Sequence, residues 1–328
     1  MKAQVLQSRQ WFKLICGASY QDLPTIRNLA LVYSLAGADC IDVASDPAVI
    51  RVAQAGIDRA KELAPALEMP LLMASINDGS DPHFRKATFD PSQCLPACKQ
   101  PCVSVCPTQA ITPDGKISPD LCYGCGRCLA VCPVQIISAH PQVYDPLTLV
   151  HTPIQALEIH THPDRLTAFT QLWQNLQPLL PQLQVISISC GDGHNLADYL
   201  SRLLQVMQPL NAILIWQTDG RPMSGDIGAG TTQPALQLAQ KVLAMNLRQG
   251  FVQLAGGTNH TTVAKAEAMG IRPHGYAYGS YARQLVADLL KSAGDTPLEQ
   301  DTPSLDRAVR KAKALVDQVK HHRYWACQ

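Results

Sequence analysis

The sequence predicts an α/β fold: a closed (β/α)₈ barrel of the TIM type interrupted by a small metal-ligating insertion. Three observations predict it. Eight short apolar runs recur along the chain, helix-like stretches stand between them, and one interval of about twice the usual length holds eight of the twelve cysteines.

The apolar runs are residues 12–16, 39–43, 70–74, 157–160, 185–189, 212–216, 251–254 and 275–278. Most are spaced by roughly 25–40 residues, the scale of a βα unit. Helical patterns occupy residues 23–35, 48–63, 166–180, 195–207, 234–245 and 261–269. Strands alternating with helices call for a parallel sheet covered on both faces, and eight such units call for closure. An open doubly wound sheet is the runner-up. The expected organisation is residues 1–88 as the first part of the barrel, 89–142 as the insertion, 143–300 as the rest of the barrel, and 301–328 as a C-terminal helix. In that last segment, residues 304–322 set Val309, Ala312, Leu315, Val316 and Val319 on one side and Arg307, Lys311, Lys313 and Lys320 on the other. A solvated face on a packed helix is preferred there over a basic docking surface.

Composition narrows the function classes. The 328 residues are 46% hydrophobic and 16% charged, with a net charge of +1. That supplies a full core and gives no broad electrostatic case for nucleic acid or an anionic membrane as partner. No apolar run reaches the roughly 18 residues of a membrane-spanning helix. Residues 1–9 lack the charged, apolar and small-residue order of a signal peptide. Disulfide-dense scaffolds are small and poor in core, unlike this chain, so the thiols are expected as ligands in a reducing, cytoplasmic compartment.

The clearest motif is Cys122-Tyr-Gly-Cys125-Gly-Arg-Cys128-Leu-Ala-Val-Cys132-Pro133, the C-x₂-C-x₂-C-x₃-C-P run of bacterial ferredoxins. Three thiolates two residues apart wrap one cubane corner by corner, and Gly124 and Gly126 give the tight loop its freedom. The fourth cysteine is expected to start a helix and to ligate the other cluster. The preceding half is Cys94-Leu-Pro-Ala-Cys98-Lys-Gln-Pro-Cys102-Val-Ser-Val-Cys106-Pro107, whose first two spacings are one residue longer. The simple assignment puts Cys94, Cys98, Cys102 and Cys132 on one [4Fe–4S] cluster and Cys106, Cys122, Cys125 and Cys128 on the other. The longer loops of the first half also admit a three-iron cluster. Between the halves, Pro113-Asp114-Gly115 marks a turn that would pair Ile111 with Ile117. Two Cys₄ zinc sites would show knuckles across a long loop instead. The C-x₃-C-x₂-C spacing of radical S-adenosylmethionine enzymes is absent. Of the other cysteines, Cys16 and Cys40 read as buried core, Cys327 carries no motif, and Cys190 before Gly191-Asp192-Gly193 is a minor site candidate.

In a barrel, chemistry sits on loops that follow strands. Gly256, Gly257 and Thr258 follow the seventh run, and Gly279 and Ser280 the eighth, each before a helix. Glycines and helix N-termini together form a phosphate grip, resembling that of flavin-binding barrels such as the dihydroorotate dehydrogenase type. FMN or another phosphate-bearing ligand is therefore one expectation, and plain tight turns are the other. The loop of residues 217–232 is long enough to cover a ligand or a cluster. His160 and His162 form an H-x-H pair that can bind metal, but with no further ligands evident a hydrogen-bonded structural role is preferred. No nucleophile-and-base constellation declares itself.

The segments Trp11-Phe-Lys-Leu-Ile-Cys-Gly-Ala-Ser-Tyr-Gln-Asp-Leu-Pro, Ala38-Asp-Cys-Ile-Asp-Val-Ala-Ser-Asp-Pro and Gln253-Leu-Ala-Gly-Gly-Thr-Asn-His, with the cysteine block between, resemble the cyanobacterial light-dependent period (LdpA) family over nearly the whole chain. The resemblance implies a redox-sensing input to the circadian clock that reports cellular redox state, through the quinone pool, and tunes period to light. It implies the input histidine kinase and the Kai components as partners, and carries the ligand role over to Cys94, Cys98, Cys102, Cys106, Cys122, Cys125, Cys128 and Cys132. A non-catalytic sensor is thus preferred. The alternative is an enzyme: a flavin-dependent oxidoreductase with the ferredoxin module as electron relay. A plain electron carrier would not need so large a scaffold.

Overall fold

The computed structural model describes residues 2–79, 81–142, 145–221, 227–293 and 296–321. Its strands are β1 (Trp11–Gly17), β2 (Cys40–Ala44), β3 (Leu71–Asn77), β4 (Arg85–Thr88), β5 (Ser138–Pro141), β6 (Ala156–Thr161), β7 (Val185–Cys190), β8 (Ile213–Asp219), β9 (Phe251–Ala255) and β10 (Gly275–Tyr278). Eight of them close a parallel barrel in the order β1-β10-β9-β8-β7-β6-β3-β2. The predicted barrel is what forms, not the open doubly wound sheet. Each strand that the apolar runs locate is present, with ends shifted by at most three residues.

The insertion leaves the barrel's hydrogen bonding intact. β3 pairs directly with β6, from Met73 opposite Ala156 to Asn77 opposite His160. The chain between them leaves and returns through β4 and β5, which pair antiparallel from Arg85 opposite Pro141 to Thr88 opposite Ser138. Residues 85–88, counted above with the barrel, therefore form half of a two-stranded neck. Beyond the neck, Ile111 and Ile117 bridge antiparallel across the predicted turn. Ala87, Ala110, Ile111 and Ile137 make a small apolar core together with the buried Cys122 and Cys128.

The helices are α1 (Lys2–Gln7), α2 (Leu23–Leu35), α3 (Pro47–Leu63), α4 (Pro101–Ser104), α5 (Arg127–Val131), α6 (Leu166–Asn175), α7 (Leu196–Val206), α8 (Gln233–Ala244), α9 (Thr262–Ala268), α10 (Ser280–Ala293) and α11 (Thr302–Lys320). α3 starts where its residues dictate. Asp46 accepts hydrogen bonds from the Ala48 and Val49 amides, and Pro47 takes the first turn, where no donor is needed. α6 stops five residues short of its expected end because Pro178 lies just beyond. Cys106 and Cys132 follow α4 and α5 rather than start helices. Their thiols thus stand at helix C-terminal ends, a correction to the expectation above. α1 was not anticipated. It closes the end of the barrel where the strands begin, with Leu6 buried among Trp11, Cys40, Leu71, Met73, Ala156, Val185 and Ile215. α11 buries Leu305, Ala308, Ala312, Leu315, Val316 and Val319, and Lys320 pairs with Asp39 at 2.5 Å. Cys327 and the last residues of the segment 301–328 lie outside the described residues. Among the described residues no helix is long and apolar enough to cross a membrane.

α2 and α3 meet at Gly56, where an added Cβ would stand 2.3 Å from the Arg27 carbonyl oxygen and 3.0 Å from the Ala30 Cβ. Gly56→Ala should therefore lower stability by about 1–2 kcal/mol, because overpacking outweighs the roughly 1 kcal/mol gained in helix propensity. Chemical denaturation should show a lower midpoint with an unchanged slope. A raised midpoint would mean that the helices separate without cost.

Candidate functional site

The cysteine loops place thiols in two groups. Cys106, Cys122, Cys125 and Cys128 interact electrostatically with one another, and Cys102 with Cys98 and Cys132. Burial first, then neighbouring thiols, pushes Cys128 up to about 12 and raises Cys125 and Cys102. Crowded thiols of this kind resist deprotonation on their own and are relieved by a cationic metal core, so the donor chemistry fits iron–sulfur clusters. Cys132 shifts the other way: burial is the largest single influence and opposes its charge, but the amides of Ile136, Val134, Ile137 and Gln135 together outweigh it. Other amides also reach sulfur, Ala110 to Cys106 at 3.2 Å, Ala87 to Cys122 at 3.4 Å and Gln100 to Cys98 at 3.4 Å. Hydrogen bonds to ligand sulfur are one of the levers that set cluster potential. The Cys106–Cys122–Cys125–Cys128 group lines a cavity whose other walls include Ala87, Ile111, Ile117 and Leu129. Cys94 is half-buried at the end of the turn Pro91–Gln93.

The second cysteine loop is keyed into the barrel. Tyr123, between two of the cysteines, is buried against the edge of Tyr20 at 6.3 Å. The Arg283 guanidinium lies 4.6 Å from the Tyr123 ring centre and donates to the Ile15 and Cys16 carbonyls at 3.1 and 2.9 Å. Gly124, at φ +76°, has no room for a side chain: a Cβ would stand 2.3 Å from the Arg85 carbonyl oxygen. Sequence reasoning missed both Tyr123 and Arg283. A tyrosine inside a cluster loop, and an arginine three residues past Ser280, were the available signals.

The barrel interior is charged. Lys13 on β1 is fully buried and pairs with Glu158 on β6 and, at 3.4 Å, with Asp42 on β2. Glu158 also accepts from Gln217 at 2.7 Å and Ser187 at 2.9 Å, and Asp42 from Ser75 at 2.7 Å. Burial opposes the charge on Lys13, but Glu158 and Asp42 outweigh it and raise its pKa to about 12. Higher up, His160 lies 3.1 Å from Glu158 through Nε2 and 3.7 Å from Asp81 through Nδ1. Asp81 also meets His83 Nδ1 at 2.8 Å, and His83 Nε2 meets Asp219 at 3.3 Å. Burial disfavours protonation of His160, yet Asp81 and Glu158 carry its pKa well above the ordinary imidazole value. His162 is exposed beside Asp164 and joins none of this.

The loops singled out at the mouth line one cavity of about 100 Å³, in which Gly256, Gly257, Thr258, Gly279 and Ser280 meet His83, His160, Asp219 and Arg283. Gly256 and Gly257 are accounted for by close packing at positive φ. An added Cβ would lie 2.0 Å from Asp219 Oδ1 at the first and 2.3 Å from the Thr231 carbonyl oxygen at the second. The Thr258 hydroxyl donates to the Ala277 carbonyl at 2.6 Å. Gly279 and Ser280 leave their side of the cavity open. Of the loop after β8, Arg221 and Ile227 line the cavity, and residues 222–226 lie outside the described residues. Cys190 is buried, and desolvation pushes its thiol up to about 12, the state of an unreactive core cysteine.

Residues 148–318 match the family model of the light dependent period A C-terminal domain, and residues 94–143 that of the LdpA Fe-S cluster-binding domain. Over 330 residues the chain is 49% identical to Light dependent period A of Synechococcus elongatus, covering 97% of this chain and 93% of that protein. Over 61 residues it is 39% identical to protein NrfC of Escherichia coli, covering 17% of this chain and 27% of that one. Over 46 residues it is 50% identical to the B subunit of polysulfide reductase from Wolinella succinogenes, covering 13% and 24%. Among solved structures, tryptophan synthase from M. tuberculosis aligns with a TM-score of 0.47 at 12% identity, covering 97% of this chain and 98% of that one.

Lys13→Met should cost about 3–5 kcal/mol by leaving buried carboxylates unanswered, and adding Glu158→Gln should restore part of the loss. Denaturation of the two variants reads this directly, and equal losses would mean that the pair is not coupled. Gly124→Ala should sharply reduce iron and sulfide in anaerobically purified protein. Gly126→Ala, with the same φ but nothing within 4 Å of its added Cβ, should retain most of both.

Proposed function

The chain belongs to the light-dependent period A family, and we propose on that footing that it is a redox sensor whose cluster loops report to the barrel mouth. It is an iron–sulfur protein of that family. In our reading Cys94, Cys98, Cys102 and Cys132 hold one [4Fe–4S] cluster, or a three-iron form of it. Cys106, Cys122, Cys125 and Cys128 hold the second. Bound clusters supply one-electron chemistry and a change of charge that their thiolate ligands share. The observation that carries the sensing role is the docking of Tyr123 against Arg283. Between Cys122 and Cys125, Tyr123 touches an arginine that grips the end of β1 and, through Ser280 Oγ at 3.2 Å, the start of α10. A shift of the ligand loop is therefore felt where the barrel opens.

Family membership supports a place upstream of the circadian clock, with the input histidine kinase and the Kai components as partners and the quinone pool as the signal. The reducing compartment this needs is the cytoplasm. The flavin-dependent oxidoreductase reading is weaker. The mouth cavity, about 100 Å³, is well below the roughly 300 Å³ at which pockets begin to enclose drug-sized ligands. Its most suggestive glycines are also explained by packing.

Anaerobic purification with iron, sulfide and flavin analysis, and paramagnetic resonance of both oxidation states, tests the reading. About eight irons per chain and a reversible signal without flavin are expected. Iron below about six would count against two intact four-iron clusters, and stoichiometric flavin would replace the sensor with the oxidoreductase.

A further inference from the structure

One cluster at the barrel mouth is left over from the redox reading. Asp81, His83 and His160 present three potential ligand atoms that all lie within 4.8 Å of one another. They come from two places in the chain. Asp81 and His83 sit on the linker from β3 to β4, where Asp81 caps the turn Pro82–Phe84, and His160 sits on β6. We propose that these three side chains bind a divalent first-row transition ion, with its remaining positions open to the mouth cavity.

Two independent features point there. The first is the outer layer. His83 Nε2 faces Asp219 Oδ2 at 3.3 Å, and His160 Nε2 faces Glu158 Oε1 at 3.1 Å. Metal-binding histidines characteristically donate the remote N–H to a carboxylate, which fixes the tautomer and turns the other nitrogen's lone pair toward the ion. Here both remote nitrogens are held that way, and both near nitrogens face the one carboxylate of Asp81, at 2.8 and 3.7 Å. The rings are fixed as well: His160 lies edge-on to Phe84, with ring centres 5.1 Å apart. The second feature is access. His83 and His160 line the mouth cavity, and so does Asp219. Two imidazoles and one carboxylate with open positions are the ligand set of catalytic zinc sites and of non-haem iron(II) sites. Binding displaces the Nδ1 protons and leaves each imidazole neutral, so it needs no redox partner. It would also clamp the linker that feeds the insertion onto the barrel wall.

The test uses the anaerobically purified holoprotein with its iron and sulfide in place. It is equilibrated with zinc, freed of excess and analysed for zinc, iron and sulfide together. About one zinc per chain is expected. His83→Ala and His160→Ala should each lose most of it at unchanged iron and sulfide, while His162→Ala should keep it. Equal zinc in the wild type and both ligand variants would overturn the proposal. X-ray absorption at the zinc edge of the wild type decides the matter if a variant fails to fold. Imidazole nitrogens and carboxylate oxygen at about 2.0–2.1 Å support the site, and sulfur near 2.3 Å would assign the zinc to cysteines and overturn it.

Discussion

An ammonium group fully enclosed by a parallel barrel has to be answered from other strands, because its own strand offers only neighbours that point away. Lys13 is answered by Asp42 from β2 and Glu158 from β6, and Glu158 in turn gathers Ser187, Gln217 and His160. Inward positions of such barrels are usually filled with branched apolar side chains. Here they form a connected polar column from Lys13 up to the mouth. Strand register follows from it, since a slip of one residue would point each of these groups into the apolar shell under the helices. The arrangement of the mouth also follows, because His160 is oriented from below by Glu158 before anything reaches it from above.

The insertion is joined to that column, not merely appended to the barrel. Its outgoing linker sets Asp81, His83 and Phe84 over the barrel opening, and Asp78 at its start is held by Arg165 at 2.8 Å. Its cluster loop returns to the same rim through Tyr123 and Arg283. Two separate segments of one module thus meet the barrel within one cavity's breadth, so the module's position and the shape of the cavity are set together.

How much of this is legible in the sequence depends on which residues announce their surroundings. Strands buried on both faces need apolar runs, and those runs located all eight barrel strands. The cysteine spacing named the insertion for the same reason: ligand geometry leaves little freedom in the chain. The interior column was passed over although its trace is present. Lys13, Asp42, Glu158 and Ser187 are polar residues set inside apolar runs, and Gln217 directly follows one; an apolar count treats each as an interruption or an end. β4 and β5 carry no apolar run: each is four residues long, β4 buries only Lys86 and Ala87, and β5 is largely exposed. His160 was noticed for its neighbour His162, yet its real companion is His83, brought across by a linker whose path no local pattern encodes. Gly256 and Gly257 illustrate the reverse case. A glycine records that a side chain would not fit, not whether a ligand or a neighbouring loop excludes it.

The direct pairing of β3 with β6 bears on how the chain reaches this state. To form it, the unfolded polypeptide must close a loop of roughly 80 residues, although the entropic penalty of loop closure grows only logarithmically, by about 0.6 kcal/mol per doubling of length. A module whose thiols are already gathered and whose ends are already joined through β4 and β5 behaves as a far shorter tether. Gathering the cysteines around iron would thus also shorten the tether between the two parts of the barrel wall.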